Sequence, residues 1–186
     1  MLIKKQTMAM GLPQTFLVVI GLSWFYALCS QIILWLPCIP VPISLQPIPL
    51  YMATLIVGWP AVSAYVLYLL QGACGLPFFA GMQGGLMRLL GPTGGYLFGW
   101  LCAMTLLALM RERIRSSWLA SLVSVSFINV IVFVCGLWRL SSFVSGADLF
   151  AVGLLPFFIG DFIMKPFVLM GLIATLSQKS SIKKQL

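Results

Sequence analysis

QTFLVVIGLSWFYALCSQIILWLPCIPVPISLQPIPLYMATLIVGWPAVSAYVLYLLQGACGL, residues 14–76, carries no charged side chain, and it lies within an uncharged run of 82 residues between Lys5 and Arg88. A water-soluble surface draws on roughly 25% charged residues, so no soluble fold tolerates such a run. The rest of the chain agrees. Of 186 residues, 61% are hydrophobic and 8% charged, and the mean hydropathy is +1.09. The solvent this composition calls for is a lipid bilayer, and the soluble, collagen-like and disordered classes are excluded.

A spanning helix needs about 20 apolar residues. On that measure the sequence predicts an all-α membrane protein, a bundle of six transmembrane helices over residues 14–36, 48–58, 60–76, 95–110, 118–138 and 156–176, within one integral membrane domain covering 1–186. Between the first two spans, five prolines (Pro37, Pro40, Pro42, Pro47 and Pro49) favour extended backbone. In hydrocarbon such backbone must be buried in protein or line a cavity. Gly58-Trp59-Pro60 punctuates the second and third spans, glycine past one helix end and proline opening the next. Lys4 and Lys5 precede an apolar stretch without a small-residue cleavage site, which reads as an uncleaved first span.

The excess of eleven basic over three acidic residues sits at segment ends, so it reports topology and not a nucleic-acid surface. With both termini on one face, that face holds Lys4, Lys5, Arg111, Arg113, Arg115, Lys179, Lys183 and Lys184, against Arg88 and Arg139 on the other. The positive-inside rule then puts both termini in the cytoplasm. The proline-rich stretch and the glycine-rich loop 75–95 share the outer face, where an arriving solute would be met.

Chemistry is sparse. The five cysteines are odd in number and never in C-x-x-C spacing, so neither a disulfide framework nor a metal site is expected. The chain has no histidine, no G-x-x-x-x-G-K-[ST] phosphate loop and no G-x-S-x-G elbow, so it cannot hydrolyse ATP itself, and an enzyme is hard to assemble. No cofactor is implied. Only Asp161 and Lys165 are ionisable within a span, four residues apart on one helix face. A charge there costs about 2.5–3.5 kcal/mol on insertion scales, so the pair faces protein or a wet cavity. It serves either as an intrahelical ion pair holding the bundle together or as a polar pair facing a ligand. Loop 75–95 carries seven glycines among Phe78, Phe79, Met82, Leu86 and Leu89, too apolar for a solvated linker. It reads as a lid over the outer mouth or as a re-entrant connector. Arg88 within it is either an interfacial anchor or the holder of a carbonyl or carboxylate.

Three stretches are distinctive: IPVPISLQPIPLYMATLIVG (39–58), GLPFFAGMQGGLMRLLGPTGGYLFGW (75–100) and LLPFFIGDFIMKPF (154–167). In this order they resemble the BioY family, the biotin-binding S components of energy-coupling factor (ECF) transporters. The resemblance implies a pocket near the outer face, biotin as ligand, and work in concert with a transmembrane T component and an ATPase pair in the bacterial cytoplasmic membrane. It maps the family's acidic and basic residues onto Asp161 and Lys165, with Lys165 on the biotin carboxylate and Asp161 on the ureido edge. Gln46, Gln83 and the Gly84–Gly85 backbone would add hydrogen bonds, Phe79, Tyr51 and Tyr96 would pack the ring and tail, and Arg88 joins the candidate set. The four-residue acid–base spacing, with Pro166 following, departs from the spacing of three common in the family. For the T-component contact the candidate is the small-residue pair Ser23 and Ala27. The alternatives are an S component of the same fold for another vitamin such as thiamine or riboflavin, a structural protein in which Asp161–Lys165 is bundle glue, and an intramembrane enzyme.

Overall fold

The computed structural model describes residues 11–34, 43–114 and 118–158. Those residues are helical apart from loops and one two-residue antiparallel ladder. In chain order they form α1 (Leu12–Ser30), β1 (Ile33–Leu34), β2 (Ile43–Ser44), α2 (Pro47–Val57), α3 (Trp59–Ala73), α4 (Leu86–Leu89), α5 (Gly94–Ile114), α6 (Trp118–Leu140), α7 (Gly146–Gly153) and α8 (Leu155–Phe158).

Helix α1 opens with Pro13 in its first turn, where a missing N–H costs nothing. Its 19 residues make about 28 Å at 1.5 Å per residue, the thickness of the hydrocarbon core. Leu12–Ser30 and Gly94–Arg111 are both long and apolar enough to cross a membrane. The first helix stops at Ser30, six residues short of the expected end at 36. Ile33 and Leu34 instead pair with Ser44 and Ile43 across the proline-rich stretch, and the Leu45 amide bonds to the Ile32 carbonyl. The ladder satisfies backbone groups that the prolines prevent from joining a helix.

Helix α2 is short, 11 residues opened by Pro47 and closed at Gly58. Gly58 has φ +77°, a left-handed conformation that reverses the chain into α3. The end of α2 is capped from outside: Arg111 Nε donates to the Leu55 carbonyl at 2.9 Å, and its Nη2 donates to that of Ile56. A cation on these last carbonyls also matches the negative end of the helix dipole.

The tightest helix pair is α5 with α6. A Cβ built on Gly95 would lie 2.3 Å from the Cys135 carbonyl oxygen, and one on Gly99 would lie 2.8 Å from Val132 Cα. Gly95 and Gly99 thus form a G-x-x-x-G face that lets two backbones touch, the usual way of gaining contact where lipid gives helices no hydrophobic drive to associate. Helix α1 packs mainly on α3, and α2 on α5 and α3. Helix α7 occupies a region expected as an outer loop, with Asp148 in its first turn. The expected span 156–176, with Asp161 and Lys165, lies outside the described residues beyond the four-residue α8.

All five tyrosines (Tyr26, Tyr51, Tyr65, Tyr68 and Tyr96) are buried in the core. Tyr65 Oη donates to the Leu97 carbonyl at 3.1 Å, Tyr51 Oη to Asn129 Oδ1 at 2.8 Å, and Tyr96 Oη to the Gly153 carbonyl at 2.9 Å. Each phenol thus ties together two elements distant in sequence. Such bonds matter in an apolar interior because an unpaired hydroxyl there is costly.

Candidate functional site

The end of the bundle formed by β2, the C-terminal half of α3, the 75–95 loop and the start of α5 holds a partly open cavity. Its walls are mostly rings and aliphatic groups: Phe79, Tyr96, Trp100, Phe133 and Phe157, with Leu97 and Val132. Ser44, Gln46, Tyr68, Arg88 and Thr93 add polar atoms.

Two of those polar groups are notable for what they lack. Arg88 Nη2 is shielded from solvent and has no hydrogen-bond partner among the described residues. Burial also lowers the Arg88 pKa from its ordinary value, although a guanidinium remains charged at any physiological pH. The Tyr68 hydroxyl, near Gln46 and Ser30, likewise has no partner at good bonding geometry among the described residues. Buried donors normally find acceptors. A cation and a phenol left over in an aromatic cavity suit a ligand with an apolar body, an anionic group and a further acceptor.

The roof is built by the loop's first half. Phe79 and Gln83 exchange backbone hydrogen bonds, N to O at 2.8 and 3.2 Å, closing a small hairpin over Ala80–Met82. The Phe79 ring seats against Gly72, where a Cβ would sit 2.3 Å from the ring, and meets Tyr68 edge-on at 5.7 Å between centroids. In the second half, Arg139 of α6 donates to the Leu90 carbonyl and ties the end of α4 to the bundle.

Of the residues singled out from sequence, Gln46, Phe79, Arg88 and Tyr96 line this cavity together. Tyr51 is not among the described residues that line it; it is buried on α2, with its hydroxyl donating to Asn129 of α6. The Gly85 amide is already bonded to the Gly72 carbonyl at 2.7 Å, and Gly84 is pressed against the backbone of Gly75 and Leu76. These two glycines shape the loop and offer the cavity no wall. Gln83 is exposed outside it, its backbone paired with Phe79. Ser23 and Ala27 are buried within the chain, on the helix whose main neighbour is α3. Asp161 and Lys165 lie outside the described residues. Tyr68, Thr93, Trp100, Phe133 and Phe157 are among the lining residues that had not been singled out. For Tyr68 a signal existed, as a polar tip on an apolar helix in a chain with few polar atoms to spare.

Comparison with known proteins gives this cavity a context. The family model described as "BioY family" matches residues 4–181. A protein of Pyrococcus horikoshii named probable biotin transporter BioY is 34% identical over 126 residues, 67% of this chain and 74% of that one. Thermotoga maritima has a biotin transporter BioY that is 39% identical over 82 residues, 44% of this chain and 48% of its own length. Among solved structures, the crystal structure of the S-component for biotin from an ECF-type ABC transporter superposes with a TM-score of 0.76 at 27% identity, covering 91% of this chain and 95% of that one. A match along nearly the whole sequence, with a common fold, identifies the chain as a membrane protein of the BioY family, a family of transporter S components and not of enzymes.

Proposed function

We propose that this chain is the substrate-binding S component of a biotin uptake system, capturing biotin at the outer face of the bacterial cytoplasmic membrane. The observation that carries the reading is the solvent-shielded, unpartnered Arg88 nitrogen in a cavity otherwise walled by rings and aliphatic groups. Biotin is an apolar bicycle and alkyl chain with a carboxylate at one end and a ureido group at the other. Phe79, Tyr96, Trp100 and Phe133 pack its body, and Gln46 and Tyr68 bond its polar edges. Lys165 and Arg88 share its carboxylate, and Asp161 accepts from the ureido N–H groups. In this reading the chain has six spanning helices and both termini lie in the cytoplasm. A T component and an ATPase pair supply the energy, in keeping with a chain that has no phosphate loop.

The test is equilibrium binding of labelled biotin to detergent-purified protein, with thiamine, riboflavin and desthiobiotin as competitors. Saturable binding displaced only by biotin-like compounds is the expected result. Displacement by thiamine or riboflavin instead assigns the fold to another vitamin. Well-folded protein without saturable binding overturns the capture role. Arg88→Met and Lys165→Met each weaken binding about tenfold to a hundredfold, the worth of one charge-assisted hydrogen bond.

A further inference from the structure

The roof hairpin is held by a side chain that belongs to neither the hairpin nor the cavity wall. Gln31, just past the end of α1, places its amide group against both strands of the turn. Its Nε2 donates to the Phe79 carbonyl at 3.1 Å and reaches that of Phe78 at 3.3 Å, and its Oε1 accepts the Met82 amide at 2.8 Å. The amide is itself oriented from below, since Nε2 also meets Ser30 Oγ at 2.9 Å and the Ala27 carbonyl at 3.2 Å. Ser30 Oγ donates to the same Phe78 carbonyl. Met82 is the one non-glycine residue with positive φ (+57°) among the described residues, following Gly81 at +75°. A methionine in this conformation persists only where its surroundings over-determine it, and its amide is bonded to Gln31.

We propose that Gln31 is a positioning residue for ligand retention: it latches the 78–83 hairpin to the end of α1 and so fixes the Phe79 ring as the roof of the cavity. This rests on the reading of that cavity as the biotin site. Gln31 is not itself part of the cavity lining and meets Phe79 only at its backbone carbonyl, so its effect passes through the hairpin. Release of the latch frees the roof to open more often, which shortens the stay of bound ligand and leaves the polar contacts inside unchanged. Affinity then falls through the dissociation rate.

The test compares wild type, Gln31→Ala and Gln31→Glu in detergent by two measurements. One is amide hydrogen exchange in the ligand-free protein, and the other is the association and dissociation rates of labelled biotin. In Gln31→Ala, exchange across 78–83 and dissociation both accelerate about tenfold, on the scale of one or two lost hydrogen bonds. Association changes by less than about threefold, and α3 keeps its protection. Gln31→Glu retains an acceptor for Met82 but turns a carboxylate on two carbonyls, so it dissociates at least as fast as the alanine variant. Should Gln31→Ala not fold, Gln31→Met keeps the length of the side chain without its polar contacts and is read the same way. Unchanged exchange at 78–83 overturns the latch. Faster exchange with unchanged dissociation overturns the role in retention. Wild type that binds no biotin overturns the ligand assignment and the retention role with it, while the exchange measurement still decides whether Gln31 holds the hairpin.

Discussion

Gly72→Ala is the substitution on which two opposing effects can be weighed most directly. Gly72 lies within α3, near its end, where replacing an exposed glycine with alanine ordinarily gains 0.5–1 kcal/mol, a rough scale set by backbone entropy. Here the added methyl would sit 2.3, 2.5 and 2.9 Å from three atoms of the Phe79 ring. Carbon atoms rest at about 3.5–4.0 Å, so the ring must retreat by about 1 Å or more. It cannot do so freely: Tyr68 stands edge-on to it at 5.7 Å, and its backbone is bonded to Gln83 and Gln31. The remaining space is the cavity itself. Overpacking of this kind costs about 1–3 kcal/mol, which exceeds the gain in helix propensity. The variant is therefore destabilised by about 1–2 kcal/mol, and it loses affinity because the displaced ring occupies ligand volume. Thermal unfolding in detergent and biotin titration measure the two losses. The double variant Gly72→Ala/Phe79→Leu separates them from general damage, since a smaller side chain at 79 relieves the clash and the two changes become non-additive. A Gly72→Ala protein as stable as wild type with unchanged affinity would refute the reasoning, and additive losses would show that the ring is not what the methyl meets.

Gly58→Ala is destabilising by about 1–3 kcal/mol, through its left-handed φ and through a Cβ 2.7 Å from Arg111 Nη1; thermal unfolding of the purified variant checks this. Tyr51→Phe loses the bond to Asn129, so stability falls by about 0.6–1.7 kcal/mol or more, the scale of polar contacts in membrane helices, as thermal unfolding in detergent measures. Gly99→Leu drives a side chain into the Val132 backbone and separates α5 from α6, so the protein no longer runs as a monodisperse species in size-exclusion chromatography.

How much of this was legible in the sequence follows from what each signal depends on. The membrane class rested on composition alone, and the Gly58-Trp59-Pro60 break rested on local backbone chemistry, which neighbours cannot override. The end of α1 was different. Ile32, Ile33 and Leu34 continue an apolar run, and nothing local stops the helix there. It stops because the chain returns at Ile43–Ser44 to pair with it, and because Ser30 and Gln31 turn their side chains to a hairpin almost fifty residues away. The helix contact was legible in principle and overlooked: Gly95-Tyr96-Leu97-Phe98-Gly99 is a plain G-x-x-x-G, a stronger pattern than Ser23 and Ala27. That weaker pair is spent inside the chain. Gln46, Phe79 and Tyr96 were singled out through the family resemblance and Arg88 as the one charge in the 75–95 loop, and all four line the cavity. Tyr51 was expected beside them on the same resemblance; its hydroxyl donates to Asn129, and it is not among the described residues that line the cavity.

The five tyrosines show why a chain so poor in polar atoms distributes them as it does. In an apolar interior each hydroxyl is a cost unless paired. Those of Tyr51, Tyr65 and Tyr96 are paired across elements, so they fix the positions of helices that hydrophobic burial alone leaves free to slide in lipid. Tyr96 does both jobs: its hydroxyl ties α5 to Gly153 while its ring, seated against Gly136, forms a wall of the cavity. Tyr68 is held by its neighbours' rings, stacked on Tyr65 at 5.4 Å and on Phe78 at 6.3 Å, and leaves its hydroxyl for the cavity. A binding site made this way is rigid on the helix side, where rings and phenols are locked, and movable on the roof side, where one glutamine holds the short 78–83 hairpin. Selectivity then resides in the first set of contacts and exchange with the outside in the second. Tyr68→Phe should therefore change the rank order of competing ligands, whereas Gln31→Ala should preserve that order and change only how long each ligand stays.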